Sequence, residues 1–326
     1  MTFSAASAVA RWIAPLLTVA AVAGTSPLVD PAVRLADDAN PLAGMPFYVN
    51  PNSAAMRAAQ HADPPSPELT GIANTPQAYW IVPGGSAGTV ANYTGDAAAA
   101  GAIPVLAIYG IPHRDCGSFA AGGMATADDY RGWIDGIASS VGATRTAIIL
   151  EPDALAMADC LSADQRQERY DLIRYAVDTL TRNPGTAVYV DGGHLRWHSA
   201  EDMAARLNKV DVARARGFSL NTANFYTTGD EIGYGEAISG LTNGSHYVVD
   251  TSRNGAGPAP DSGLNWCNPS GRGLGTAPTT ATAGAHADAY LWIKRPGESD
   301  GTCDKGDPPA GTFVNQYAID LAHVGR

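Results

Sequence analysis

Three short stretches set carboxylates at places where they can do acid–base chemistry. Residues 148–160 read IILEPDALAMADC, an apolar run that stops abruptly at Glu151, a proline and Asp153. Residues 108–117, IYGIPHRDCG, run out at Asp115, and residues 291–303, LWIKRPGESDGTC, at Lys294, Glu298 and Asp300. A carboxyl group at the end of a buried run loses hydration, and a like charge beside it adds to the cost of ionising. Such a group keeps a proton at neutral pH and can act as a general acid, with a second carboxylate to organise or deprotonate water. Each stretch also has an ordinary reading. Asp153 would N-cap a helix beginning at ALAMADC, Asp115 would pair with Arg114, and SDG would be a plain turn.

Cysteines and aromatic residues accompany these acids. Cys116 follows Asp115 directly, and Cys160 lies shortly beyond Asp153. With Cys267 and Cys303 the chain has four cysteines and three conceivable pairings. The sequential one, Cys116 with Cys160 and Cys267 with Cys303, is the simplest in an exported chain; each bridge would contribute about 4 kcal/mol on a chain-entropy account. No C-x-x-C pair occurs, which argues against zinc or redox work. Trp80, Tyr109, Trp197, Trp266 and Trp292 supply flat faces of the kind on which sugar rings stack, although Trp292, inside an apolar run, reads as core. Carboxylate pairs with aromatic platforms suit glycosidic-bond chemistry, where the spacing of the two carboxyls sets the stereochemical outcome. Two competing patterns are weaker. GGSAG (84–88) offers Ser86 as a nucleophile for an esterase, but Pro83 and two glycines make it a flexible turn. His194 and His198 near Asp191 have helical spacing for a metal, yet no H-E-x-x-H occurs; neither metal nor cofactor is expected.

The elements that must position these residues follow from the apolar pattern. Eight runs are short and nearly continuous: 47–50, 78–82, 104–111, 146–150, 187–191, 217–221, 246–250 and 288–294. Amphipathic segments at 128–141, 163–182 and 200–208 lie between them. Buried strands alternating with helices imply an α/β protein with a parallel sheet covered on both faces. This many units in one domain favour a closed β/α barrel over an open doubly wound sheet. Polar residues follow six of the runs in succession, at Asp115, Glu151 and Asp153, Asp191 and His194, Asn221 and Asn224, Asp250 and Arg253, and Lys294 to Asp300. In a barrel all of these converge on one rim.

Bulk composition narrows the class. The 326 residues carry a formal net charge of -11, only 16% are charged, and Gly (36) and Pro (22) are plentiful. No basic cluster tracks a phosphate backbone, so nucleic acid is not an expected partner. Residues 12–24, behind Arg11, resemble a signal-peptide core too short to span a bilayer. The organisation expected is a signal or hydrophobic segment over 1–24, a disordered tether over 25–43 and one catalytic domain over 44–326. The protein is expected to be secreted, monomeric and without a stable membrane partner.

Taken together, DCG (115–117), EPDALA (151–156), DGGH (191–194) with WHS (197–199), NTANF (221–225), VDTSRNGAG (249–257), NWCNPSGRGLG (265–275) and LWIKRPGESDG (291–301) resemble glycoside hydrolase family 6. The resemblance implies a cellulase that cleaves β-1,4-glucan with inversion, on a distorted, TIM-like β/α barrel of about seven parallel strands, so one of the eight runs is not a barrel strand. It implies Asp153 as general acid, Asp115 as the aspartate that tunes it and helps position water, Asp300 as the proposed base and Tyr109 beneath the reacting ring. It also implies that Trp80, Asp191, His194, Trp197, Asn224, Trp266, Lys294 and Glu298 line the glucan cleft, and it agrees with the sequential disulfides. One position departs from the pattern: Ala121 stands where members usually carry a serine that holds the catalytic water. The compact chain implies an open, endo-acting groove. A catalytically weak glucan-binding protein is the alternative that this departure raises.

Overall fold

Seven of the eight apolar runs form strands, and all seven pair in parallel in the order of the chain. The computed structural model describes residues 1–3, 39–85, 87–260 and 263–324. The strands are β1 (Tyr79–Ile81), β2 (Val105–Ile108), β3 (Thr146–Leu150), β4 (Thr186–Asp191), β5 (Gly217–Leu220), β6 (His246–Asp250) and β7 (Ala287–Leu291). The run at 47–50 is the exception. Phe47 makes only an isolated parallel bridge to Ile103. The edges of the sheet are joined beyond the strands by Ala78 N–H donating to Trp292 O at 2.9 Å and by the Trp80 indole donating to Ile293 O at 2.8 Å. A curled sheet with so thin a seam is the distorted barrel that was expected.

Helices cover the outer face: α1 (Ala54–His61), α2 (Pro67–Ala73), α3 (Ala87–Ala99), α4 (Ala127–Val141), α5 (Ala163–Leu180), α6 (Ala200–Lys209), α7 (Thr228–Leu241) and α8 (Asn315–His323). Their starts are written locally. Thr126, Ser162, Ser199 and Thr227 each accept a backbone N–H from the first turn, and Ser162 with Gln165 forms a full capping box. Alternate strand residues divide between two cores, as a period of two requires. Val105, Ala107, Ala147, Ile149, Ala187 and Tyr189 fill the barrel interior, while Leu106, Ile108, Ile148, Leu150, Val188 and Val190 pack under Ile134, Ile173 and Leu207 of the helices.

The compact unit begins at Asn40, a few residues before the expected start of the domain at 44. Leu42 is 1% exposed, and Arg145 holds the carbonyls of Pro41 and Ala43 at 2.6 and 2.7 Å. These contacts make residues 40–43 part of the domain. The signal-like segment, residues 25–38 of the expected tether and Ser86 lie outside the described residues.

Candidate active site

The strand-end carboxylates belong to two physical classes. Glu151, Asp191 and Asp250 are fully buried, and each spends its oxygens on hydrogen bonds that tie strand ends and loops together, mostly to backbone amides. Glu151 accepts from Gly110 N at 3.0 and 3.1 Å and from Ile111 N at 3.0 Å, which fixes the turn leaving β2. Burial pushes its carboxyl up to about 7, although those amides pull the other way. Asp250 accepts from Ala223, Ser252, Ile293 and Lys294 and so ties the ends of β5, β6 and β7 together. Glu151→Ala would leave two amides without an acceptor in a tight core. It is expected to lower stability by about 2–4 kcal/mol in urea unfolding.

Asp115 and Asp153 form the other class, half-buried beyond the ends of β2 and β3. Asp153 lies in the left-handed region at φ 68°. Its N–H donates to Asp191 Oδ1 at 3.0 Å, while the Asp191 carboxylate also takes Gly193 N–H and the Ser219 hydroxyl. The capping alternative fails, because the short 3-10 helix Ala156–Cys160 starts after Leu155 with no side-chain cap. Burial, then the neighbouring Asp191 and Asp115, and further off Asp300, hold the Asp153 carboxyl well above the ordinary range, against the pull of Lys294. Such surroundings favour the protonated form of the group.

Asp115 does not pair with Arg114. Arg114 instead donates to the carbonyls of Ala120 and Tyr109 at 2.8 Å and lies 4.5 Å over the Tyr109 ring. Asp115 accepts the Ala120 amide at 2.6 Å, and burial raises its pKa. The Cys116–Cys160 disulfide joins the two acid-bearing loops, and Cys267–Cys303 joins the loop of Trp266 to that of Asp300. Both are the sequential pairs.

Asp300 is no simple turn residue. Oδ2 meets Arg253 at 2.8 Å, Oδ1 meets Lys294 at 3.1 Å, and Asn268 N–H donates to Oδ2 at 3.1 Å. Burial alone would raise its pKa, but Arg253 and Lys294 outweigh it and hold the carboxyl below its usual value. A carboxylate gripped by two cations is a weak base.

Among the aromatic residues, Trp80 stands edge-on to Tyr109 with centroids 5.4 Å apart. His194 stacks on Tyr226 at 4.5 Å and leans toward Trp197 at 5.2 Å, and burial lowers its pKa to about 4, so the ring is neutral. Trp266 is 37% exposed and faces Phe119 at 6.0 Å. Asn224 holds its own loop by donating to Thr222 O. Trp292 is core, as expected, with its indole on Thr276 O.

Two expected cleft residues are buried and already engaged. Asp191 is 1% exposed and accepts the amides of residues 153 and 193 and the Ser219 hydroxyl, which holds the Asp153 turn in place. Glu298 is 4% exposed and is held by Arg295 at 2.8 Å; it braces the loop before Asp300. His198, half of the metal-like pair, gives its ring nitrogens to Asp202 and Ala156 O.

The reading by residue type missed Arg253, the largest fully buried side chain, as well as Asn268, Ser219 and Tyr226. Arg253 stood among the polar strand ends. Nothing in its neighbourhood in the sequence says that a residue 47 positions later is its counter-ion.

Comparison with known proteins follows this geometry. The profile described as glycosyl hydrolases family 6 matches residues 42–324. The chain is 43% identical over 286 residues to an endoglucanase A of Cellulomonas fimi, covering 86% of this chain and 61% of that protein. It is 40% identical to an endoglucanase 1 of Streptomyces halstedii, covering 85% and 88%. Among solved structures it resembles the endoglucanase Cel6 of Mycobacterium tuberculosis in complex with a methyl cellobiosyl-thio-cellobioside, with TM-score 0.87 and 75% identity over 87% of this chain and 99% of that one. Probable cellobiohydrolases C of Aspergillus species match at about 30% identity.

Proposed function

Because the chain belongs to glycosyl hydrolases family 6, we propose that it is an endo-acting enzyme that hydrolyses β-1,4-glucan of the cellulose type with inversion. The observation that carries this reading is the split among the rim carboxylates. Asp153 is only half-buried and its pKa is raised by burial and by Asp191 and Asp115, while its fully buried neighbours are committed to hydrogen bonds with the loops.

In this reading Asp153 protonates the glycosidic oxygen as the bond breaks through an oxocarbenium-like transition state. Water attacks from the opposite face of the ring, oriented by Asp115 and by the carbonyls of the DCG loop. Asp300, held ionised by Arg253 and Lys294, balances positive charge beside the water and leaves the proton to a solvent relay. Tyr109 supports the reacting ring, and Trp80, Trp197, Trp266 and neutral His194 supply faces and edges for adjoining sugars, with Asn224 and Lys294 as polar contacts. The endo mode is supported by the names of the bacterial relatives, which are more similar to this chain than the cellobiohydrolases are. The same reading places the protein outside the cell, where its two disulfides persist.

Proton NMR of the anomers freshly released from cellohexaose tests the proposal: α-anomer should appear first. Initial β-anomer would exclude inversion. Binding without cleavage would favour the weak-binder reading, which rests on Ala121. That position is only a methyl group, next to a loop held by the Ala121 N–H bond to Ser118 O at 3.1 Å. Ala121→Ser is expected to raise kcat by about 3–10-fold, the worth of one net hydrogen bond to the attacking water. A steady-state assay on cellohexaose reads it, and an unchanged kcat would mean that this loop does not hold the water through a hydroxyl.

A further inference from the structure

Arg169, on the second turn of α5, is 2% exposed, yet among the described residues it has no carboxylate ion pair. Its guanidinium donates to Ala154 O at 3.0 Å, Pro112 O at 3.2 Å and His113 O at 2.8 Å. Glu151, the carboxylate whose field reaches it, gives its oxygens to Gly110 and Ile111. Burying a cation without a counter-ion is costly, and this one is placed where a single planar fork reaches two loops. One carbonyl belongs to the residue after Asp153, and the other two lie just before Arg114 and Asp115.

Those loops need an outside restraint. His113, Asp115 and Cys116 have φ of 58°, 56° and 49°, and Glu151 and Asp153 have φ of 52° and 68°. Side chains other than glycine are disfavoured there, and such residues persist only where the surroundings over-determine them. The Cys116–Cys160 bridge ties the residue after Asp115 to a residue seven beyond Asp153, with Cα atoms 6.3 Å apart. Arg169 restrains the other side of each acid's surroundings, at residues 112 and 113 before Asp115 and at residue 154 directly after Asp153.

We propose that Arg169 is a positioning residue that clamps the Asp115 loop and the Asp153 loop to α5 and so sets the spacing of the two carboxyl groups. The consequence for turnover rests on the reading of Asp153 as general acid; the clamp itself does not. Lysine cannot reproduce it, because an ammonium is a point donor and lacks the fork that spans two loops.

Full-length Arg169→Met and Arg169→Lys test this with two readouts. In hydrogen–deuterium exchange, amides of residues 110–117 and 153–160 should lose protection in both variants while β4 to β6 stay unchanged. On cellohexaose, kcat should fall about 10-fold to 10²-fold, the usual effect of a misplacement near 1 Å, with KM within about twofold. The alkaline limb of kcat should also move to lower pH as Asp115 drifts from Asp153. Should the methionine variant not fold, the lysine variant carries both measurements. A folded variant with unchanged loop protection, or a lysine variant with wild-type kcat and pH limb, overturns the proposal. If the wild-type protein cleaves no glucan, the functional reading fails separately, and loop protection alone decides the clamp.

Discussion

Asp153→Asn is expected to lower kcat on cellohexaose by about 10³-fold while leaving oligosaccharide binding within about twofold. The substitution keeps the size of the side chain and the backbone bond from residue 153 to Asp191. It removes only the transferable proton. The leaving sugar is a poor leaving group without that proton, so the loss falls on the chemical step and not on affinity. A cellobiosyl fluoride, whose leaving group needs little protonation, should retain most of its rate in this variant. Titration adds a second check. The Asp153 pKa is raised by burial first and then by Asp191 and Asp115, so the acid form and the activity should reach to higher pH than for an ordinary carboxyl and be lost as pH rises through that raised pKa. Asp115→Asn removes one like charge and should move this alkaline limb downward. A kcat above a tenth of wild type in Asp153→Asn on cellohexaose would sink the assignment.

Asp300→Ala should be the most destabilising single change at the rim, by about 3–5 kcal/mol in urea unfolding. It leaves Arg253, fully buried, and Lys294, nearly so, without the carboxylate they share. Two uncompensated buried cations repel each other and lack water. The pH dependence has a definite sign. The carboxyl pKa is held below its unfolded value because the two cations outweigh burial, so its stabilisation is complete above the unfolded carboxylate pKa, about 4, and is lost as pH falls through the lower folded value. The same arrangement bears on the base. If Asp300 took the proton from water, azide added to Asp300→Ala should restore turnover; the ion-pair reading expects no rescue. Stability within about 1 kcal/mol of wild type would refute the charge-anchor role.

Much of this was legible in the sequence. Short apolar runs bounded by Gly, Pro and carboxylates define strands because a strand buried on both faces has no solvent side to mark with polar residues. Seven such runs match strands to within a few residues. The eighth, FYVN, has the same composition, but Phe47 finds a single bridge partner at Ile103, and strand formation depends on a neighbour that composition does not contain. The acid-bearing loops were legible for a similar local reason: DCG and EPDALA carry their chemistry within a few residues.

The sequence by itself determined the alternation of strands and helices and the positions of the candidate acids, because each depends on periodicity or on residues close along the chain; it left three cysteine pairings open, and the fold selects the sequential one. Only the tertiary structure decided which carboxylates remain free. Asp191 and Asp153 both end a strand in a polar turn, and nothing local distinguishes them. One is consumed by the amides of residues 153 and 193 and the Ser219 hydroxyl, and the other is left half-buried. Likewise Asp300 reads as a turn until Arg253 and Lys294 close on it. Ionisation depends on the burial and charges around a group, and those charges come from strands far apart in sequence that the barrel brings together.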